Sequence, residues 1–413
     1  MRIESFRAVR PKRSYVKDVA SYPYDVVDRE EARRLARDNP LSFLHIVRSD
    51  IDLPDEVDLH DDRVYDKARE TFHRFLAEGV LRRDPLPSLY LYRQSMGNHV
   101  QDGIVACVHV EDYDNGLIKR HELTRADKEI DRTRHIDTVN AQTGPIFMTY
   151  RASLTIDSIV SAVAAASPEF DFTADDGIGH TLWIIDEPSR IASIREAFSE
   201  IDSLYIADGH HRAASAAAVA RARREDFKNH RDDCSNHLMM AVLFPHNQLR
   251  IMDYNRAVAD LNGYDPAGFL VELDKNFILT SGTAKGGPGR PHEFSLYLAG
   301  LWHRLNAREG SYNGRDIVDS LDVEILQRNI LAPLLKICDP RTDERIAFIG
   351  GIRGIDKLER LVDSGRFAAA FALYPPTIEQ LLAVADGGRT MPPKSTWFEP
   401  KLRSGLVIHL LND

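Results

Sequence analysis

The stretch Leu204-Tyr205-Ile206-Ala207-Asp208-Gly209-His210-His211-Arg212-Ala213-Ala214-Ser215-Ala216 decides how this chain is read. A short apolar run closes on Asp-Gly, and an alanine-rich segment opens at once with His-His-Arg. The pattern predicts a strand over Ser203 to Ala207, a tight turn, and a helix from near His211 to about Arg224. The first turn of a helix has N–H groups with no partner inside the helix, and carries a partial positive charge. Gly209 lets an anion reach the backbone, so the junction reads as an anion site. Asp208, at the strand end, is placed to hold a magnesium ion or to orient a hydroxyl. His210, His211 and Arg212 add donors, with Arg212 always charged and forked. Neighbouring histidines point about 100° apart on a helix, which argues against a shared metal face. A plain strand–helix turn capped by Asp208 is the competing reading. Five polar or special residues packed between apolar elements favour the anion site.

Working outward, helices and strands alternate on both sides. Thr155 to Ala165 and Ile191 to Ile201 read as helices, and Thr181 to Ile185 and Leu238 to Phe244 as strands. Toward the start, Asp28 caps a helix that stops at Asn39-Pro40, and Asp62 to Glu78 carries an apolar stripe. Leu89 to Tyr92 and Ile104 to Val110 read as strands joined through Met96-Gly97-Asn98. Toward the end, a helix from Leu321 is interrupted at Pro333, and strands are expected at Ile346 to Ile349, Ala369 to Leu373 and Leu406 to Leu411. The fold class expected is mixed α/β. The 413 residues suggest two or three domains, with a boundary placed between an N-terminal region, 1–235, and a C-terminal α/β region, 236–413, that closes the site.

Composition narrows the function classes. Lys and Arg number 53 against 63 Asp and Glu, a formal charge of −10. An acidic chain lacks the basic footprint that nucleic-acid binding needs, although a local pocket can still attract a small anion. Cys107, Cys234 and Cys338 are isolated in the sequence, so neither a disulfide framework nor a cysteine zinc site is expected. Arg2, Arg7 and Arg10 are not followed by an apolar run, and no stretch of about 18 apolar residues occurs. The expected setting is cytoplasmic, without a membrane.

Two further runs carry candidate chemistry. Gly388 to Ser395 matches the P-loop pattern except at Pro393, which has no N–H to give a phosphate. Lys394, Ser395, Thr396 and Lys401 still gather cations and hydroxyls suited to phosphate contact. Ser42 to Asp50 reads as a strand with His45, Arg48 and Asp50 toward its end, where a carboxylate is a candidate general base. Arg256, in Tyr254 to Val258, reads as an exposed strand arginine.

Tyr22-Pro23-Tyr24-Asp25-Val26, Ser42-Phe43-Leu44-His45, Ala207 to Arg212 and Met391 to Phe398 occur in this order. With those four runs the chain resembles, over nearly its whole length, the bacterial and archaeal domain of unknown function 1015 family. The Asp-Gly-His-His-Arg turn is also similar to the nucleotide-binding turn of the ParB/sulfiredoxin superfamily, which includes free serine kinases. The resemblance implies a ParB/sulfiredoxin-like nucleotide-binding core and an ATP- and Mg²⁺-dependent phosphoryl transfer to free L-serine. It implies that Asp208, His210 and His211 serve catalysis, with Asp208 on the metal. It further implies that Gly209, Arg212, Lys394, Ser395, Thr396 and Lys401 hold phosphate. Related serine kinases place a glutamate where this chain has Asp50, one methylene shorter. Arg48, Arg256 and His45 are the candidates for the substrate's carboxylate and polar groups. A homodimer is compatible with this reading. The alternative is a ParB-like nucleotide-binding or hydrolysing regulator without small-molecule kinase activity. Sulfiredoxin-like chemistry would need a cysteine in the turn that the two histidines occupy.

Overall fold

The computed structural model describes residues 1–226 and 237–412. Cys234 lies outside them. The chain divides into two compact units, one from Met1–Lys119, Thr124–Leu249 and Pro400–Asp413, the other from Arg120–Leu123 and Arg250–Glu399. The division falls after Leu249 rather than at 235/236. The strand Leu238–Pro245 is the reason: it pairs on both sides with strands of the first unit and cannot leave that sheet.

The first unit is built on a nine-stranded sheet of β1 (Ile3–Glu4), β2 (Leu89–Met96), β3 (His99–His109), β4 (Ile118–Lys119), β5 (Ile146–Tyr150), β6 (Phe170–Thr173), β7 (Gly179–Ile185), β8 (Leu204–Asp208) and β9 (Leu238–Pro245). Their order is β4-β8-β5-β9-β3-β2-β7-β6, with β1 added to β3. Only β4·β8 and β5·β9 run parallel. The fold is therefore mixed α+β, with a largely antiparallel sheet. The β2–β3 hairpin turns at Gly97, whose φ of 57° suits the tight connection.

Alternation along the strands puts Leu89, Leu91, Ile104, Ala106, Met148, Ile206, Met239 and Ala241 into one buried cluster. Residues of α5 (Leu154–Ala164), α6 (Pro188–Ser199) and α7 (His210–Asp226) join it. Helix α7 contributes Ala213, Ala216, Ala217 and Ala220. Side chains this small let the helix backbone lie close to the sheet, which fixes where its first turn sits. A second cluster gathers residues of α1 (Arg29–Ala36), α2 (Leu44–Val47), α3 (Asp62–Ala77) and the end of α4 (Ala126–Val139). Asp28 caps α1 by accepting from the Glu31 N–H at 2.8 Å. Ile408 lies in the same cluster, because the last residues run back through this unit. Ser404 exchanges backbone bonds with Ser21, Ile408 with Val9, and His409–Leu410 pairs with Ala141–Gln142. Of the strand expected over Leu406 to Leu411, only His409–Leu410 forms.

The run from Ser42 to Asp50 is helical, not a strand. Leu44–Val47 makes one α-helical turn and Ser49–Asp52 a 3-10 turn. Ser42 Oγ accepts from the Leu44 N–H at 3.3 Å. Leu44, Ile46 and Val47 bury together on a helical spacing, and the Ile46 and Val47 N–H groups turn back to the Phe43 carbonyl instead of to a strand.

The second unit has a six-stranded antiparallel sheet: β10 (Tyr254–Val258), β11 (Phe277–Ser281), β12 (Glu293–Leu298), β13 (Leu301–Ala307), β14 (Ile346–Gly350) and β15 (Ala369–Leu373). The order is β11-β13-β12-β15-β10-β14. The helix Ile355–Asp363 packs Leu358 and Leu361 onto Ala257, Trp302, Ala370 and Ala372. The helix expected from Leu321 covers Asp322–Leu326, widens through Gln327–Leu331 and ends before Pro333. Among the described residues no helix is long and apolar enough to cross a membrane.

Asp322, at the start of that helix, is buried, accepts from the His292 N–H at 2.9 Å, and leaves Oδ2 without a hydrogen-bond partner. Burial pushes its carboxyl up to about 7, against the backbone bonds from His292 and Tyr374. Above the ordinary carboxylate range the unfolded chain releases this proton while the folded one keeps it. Stability from this group is full below about pH 4 and is lost as pH rises toward 7. Thermal melts of wild type and Asp322→Asn should diverge over that interval, the variant being favoured by a few kcal/mol at pH 8. Parallel pH profiles of the two would show that Asp322 ionises normally.

Candidate functional site

The turn is shaped by an irregularity in β8. Ile206 stands opposite Met148 and Asp208 opposite Phe147, so Ala207 is an extra residue in the ladder. In a regular strand Asp208 would face the core beside Ile206. One bulged residue breaks that alternation and re-aims the carboxylate. Ile206 is fully buried, whereas the Asp208 side chain keeps 28% of its surface. Gly209 follows with φ +93°, and a Cβ there would stand 2.9 Å from Arg212 Nε. Only glycine meets both constraints. Helix α7 then begins, its first bond running from the Ala213 N–H to the Gly209 carbonyl at 3.0 Å. The anticipated strand, turn and helix are all present, with the helix starting at His210.

Asp208 is surrounded by cations. Its Oδ1 accepts from the Gly209 N–H at 2.8 Å and its Oδ2 from Lys401 Nζ at 3.0 Å. Arg212 Nη2 stands 4.0 Å from Oδ2. Burial alone would raise the carboxyl, but Lys401 and Arg212 outweigh it and hold Asp208 ionised, well below the usual carboxylate range. Arg212 is itself buried. Its Nη1 donates to the Pro145 carbonyl, and its Nε has no hydrogen-bond partner among the described residues. His211 Nε2 accepts from the Arg125 N–H at 3.0 Å, which leaves any proton of the neutral ring on Nδ1. His210 is buried at the first helical position.

Lys401 is 193 residues from Asp208 in sequence. What brings it there is a clamp on the next turn of chain. Arg403 Nη2 donates to Asp176, its guanidinium lies 4.0 Å from the Tyr22 ring centroid, and its Nε donates to His180 Nε2 at 3.3 Å. Tyr22 donates to Asp176 at 2.7 Å. Burial, reinforced by Arg403, pulls His180 down to about 3, so the ring is neutral. With Nε2 accepting, Nδ1 carries the hydrogen and donates to the Tyr92 oxygen at 2.6 Å. Gln94 Nε2 holds the Lys401 carbonyl at 2.9 Å. Arg403, Asp176 and His180 were not anticipated from the sequence. Tyr22 lay within a quoted run, but nothing local links it to residue 403.

Other anticipated residues serve elsewhere. Arg48 Nε and Nη2 bind the two oxygens of Asp50 at 2.9 and 3.0 Å, and its Nη1 donates to the Val27 carbonyl at 2.8 Å. Asp50 is buried with both oxygens engaged, so the pair braces the layer around α1 and α2. His45 is held by Asp52 at 2.8 Å, which raises its pKa, and by the Asn39 carbonyl at 3.2 Å. Arg256 is not an exposed strand residue. It is buried against Phe348, donates to the Tyr254 carbonyl at 2.5 Å and to the Lys394 carbonyl at 2.8 Å, and burial draws its pKa down to about 10. Lys394 has φ +57°, and Ser395 Oγ donates to the Pro392 carbonyl at 2.5 Å. Thr396 Oγ1 lies 3.3 Å from His121 Nε2. Lys394, Ser395, Thr396 and Arg256 thus belong to the second unit, whereas Lys401 belongs to the first, where it pairs with Asp208.

The turn geometry has a direct test. Gly209→Ala forces a Cβ into Arg212 and a side chain into positive φ, and should cost about 1–3 kcal/mol in denaturant unfolding. A variant as stable as wild type would mean that the turn relaxes without loss.

A family model described as "Protein of unknown function (DUF1015)" matches residues 3–324. No curated protein matches the chain. Solved structures with some likeness include a free serine kinase variant in complex with AMP, at 12% identity and TM-score 0.38, covering 71% of this chain and 87% of that one. A conserved hypothetical protein from Pyrococcus furiosus is 12% identical, with TM-score 0.37 and coverage of 74% and 95%. SbnI with a C-terminal truncation, from Staphylococcus aureus, is also 12% identical, with TM-score 0.37 and coverage of 74% and 87%. Matched by the family model over most of its length, the chain belongs to the DUF1015 family.

Proposed function

We propose that this protein transfers the terminal phosphoryl group of ATP to the hydroxyl of a free small molecule, L-serine being the acceptor. The observation that carries the reading is the convergence, on one bulged strand end, of an ionised aspartate, two cations and a helix N-terminus opened by a positive-φ glycine. Phosphoryl transfer asks mainly for positioning and charge neutralisation, so this is the apparatus it needs. The α7 first turn, including the His210 and His211 N–H groups, receives phosphate oxygens. Arg212 and Lys401 offset their charge. Asp208 Oδ1 spends one lone pair on the Gly209 N–H and Oδ2 one on Lys401, and the remainder fits a magnesium ion held mostly by the donor's phosphates and water. When bound, that ion would neutralise charge on the phosphates.

The acceptor oxygen forms a bond to the γ-phosphorus as the bond to the β–γ bridging oxygen breaks, and ADP leaves. Asp208, kept ionised by its neighbours, orients the acceptor hydroxyl. In a loose transition state the proton departs late, to solvent or to the transferred phosphate, and no strong base is required. Asp50, with both oxygens on Arg48, is outside this scheme. Lys394, Ser395 and Thr396, tied by contacts within the second unit, carry no step of it.

The test is incubation of the full chain with ATP, Mg²⁺ and L-serine, following ADP and O-phosphoserine. Asp208→Asn should lower phosphoserine formation by about 10²–10⁴-fold with the fold retained. Lys401→Met should chiefly weaken ATP. Near-full turnover by Asp208→Asn would reduce that residue to a structural cap. ATP hydrolysis indifferent to serine would reject serine as acceptor, and absence of ATP binding would reject the phosphate site itself.

A further inference from the structure

Arg212 also lines a second feature of the first unit, a narrow pocket bounded by Tyr24, Arg132, His135, Thr143 and Ala216 as well. The cavity is about 30 Å³, which is room for roughly two water molecules. That matches the two oxygens of one carboxylate and is too small for a ring. The lining is mostly apolar, with a few polar groups among residues such as Val47, Ile136 and Ile146. The Arg132 guanidinium lies 4.2 Å from the Tyr24 ring centroid and is oriented by Asp131, whose Oδ2 accepts from Nε at 2.7 Å. The Tyr24 hydroxyl has no hydrogen-bond partner among the described residues; burial and the nearby Asp25 carboxylate push its pKa up, against Arg132 and Arg212. His135 Nε2 donates to the Ile46 carbonyl at 2.9 Å, and burial draws it down to about 4, so this wall adds no charge near neutral pH.

Two features point to an anion. Arg212 is buried and its Nε donor is unpaired, a cost that an acceptor in the pocket would remove. The second is the Tyr24 hydroxyl, a further donor without a hydrogen-bond partner among the described residues, on a residue that lines the same pocket. Arg212 is common to the phosphate turn and to the pocket.

We infer that the slot formed by Tyr24, Arg132 and Arg212 is the subsite for the carboxylate of the acceptor. This rests on the phosphotransferase reading for the acceptor's identity, but its binding chemistry can be measured without turnover. Arg132 and Tyr24 would bind substrate here and take no part in bond making. Arg212 Nε and the Tyr24 hydroxyl supply the open donors, while Arg132, engaged by Asp131 and the Val47 carbonyl, supplies charge beside them.

The experiment is calorimetric titration of the full chain, without ATP, with L-serine and with L-serinamide, which keeps the hydroxyl and amine but lacks the carboxylate. Wild type should prefer serine by about tenfold or more. Arg132→Met should erase that preference. Tyr24→Phe, which keeps the ring under Arg132 and removes only the hydroxyl, should weaken serine about three- to tenfold; it decides the matter if thermal melts show that Arg132→Met is unfolded. In turnover, both variants should raise KM for serine and leave KM for ATP unchanged. Equal binding of serine and serinamide by wild type, no binding of serine, or variants that keep the preference would each overturn the subsite. Serine preference without phosphoserine formation would sustain the subsite and reject the transferase. Phosphoserine made by Arg132→Met at unchanged KM would do the reverse.

Discussion

The ion pair between Lys401 and Asp208 is the contact on which the first unit's chemistry depends. A strand whose residues 204–207 are buried ends on a carboxylate, and a largely desolvated carboxylate is tolerated only when cations accompany it. One cation, Arg212, comes from the same turn. The other arrives from residues 400–413, which cross back through the unit by backbone bonds at Ser404 and Ile408. The Arg403 clamp on Asp176, Tyr22 and His180 then fixes the approach of Lys401 to a single arrangement. A neutral His180 matters here. A charged ring would have no lone pair for Arg403 and would set two cations against each other in a buried space.

The arginines show how identical side chains divide into braces and binding groups. Arg48 spends Nε and both terminal nitrogens on Asp50 and the Val27 carbonyl. Arg256 spends its terminal nitrogens on carbonyls of its own unit while its plane stacks on Phe348. Arg212 differs because one donor stays unspent in a buried position beside a helix N-terminus. The net charge of −10 is compatible with this. A few cations gathered at one bulged strand end create a local field that the distant, solvated carboxylates do not cancel.

Much of the fold was legible in the sequence because it is set by local patterning. The helix at Arg29–Ala36 follows from its Asp28 cap, α3 from an apolar stripe ended by Gly79, and the β2–β3 hairpin from alternation around Gly97. The Asp-Gly-His-His-Arg turn was equally legible, since strand, glycine and helix start are adjacent in the chain. Leu44–Val47 was misread because three apolar residues around His45 have no periodicity long enough to separate helix from strand. Arg256 was misread because its burial comes from Phe348 and Lys394, both remote in sequence.

What the sequence by itself determined is the mixed α+β class, most element positions and the location of the Asp-Gly-His-His-Arg turn, all consequences of neighbours within a few residues. What only the tertiary structure decided is which cations reach that turn. Lys401 meets Asp208; Arg403 joins Asp176, Tyr22 and His180; and Tyr24, Arg132 and Arg212 line one narrow pocket. The physical reason is that ion pairing and burial act between residues one to four hundred positions apart. Their partners are chosen by the sheet register and by the returning C-terminal segment, neither of which leaves a signature in local composition.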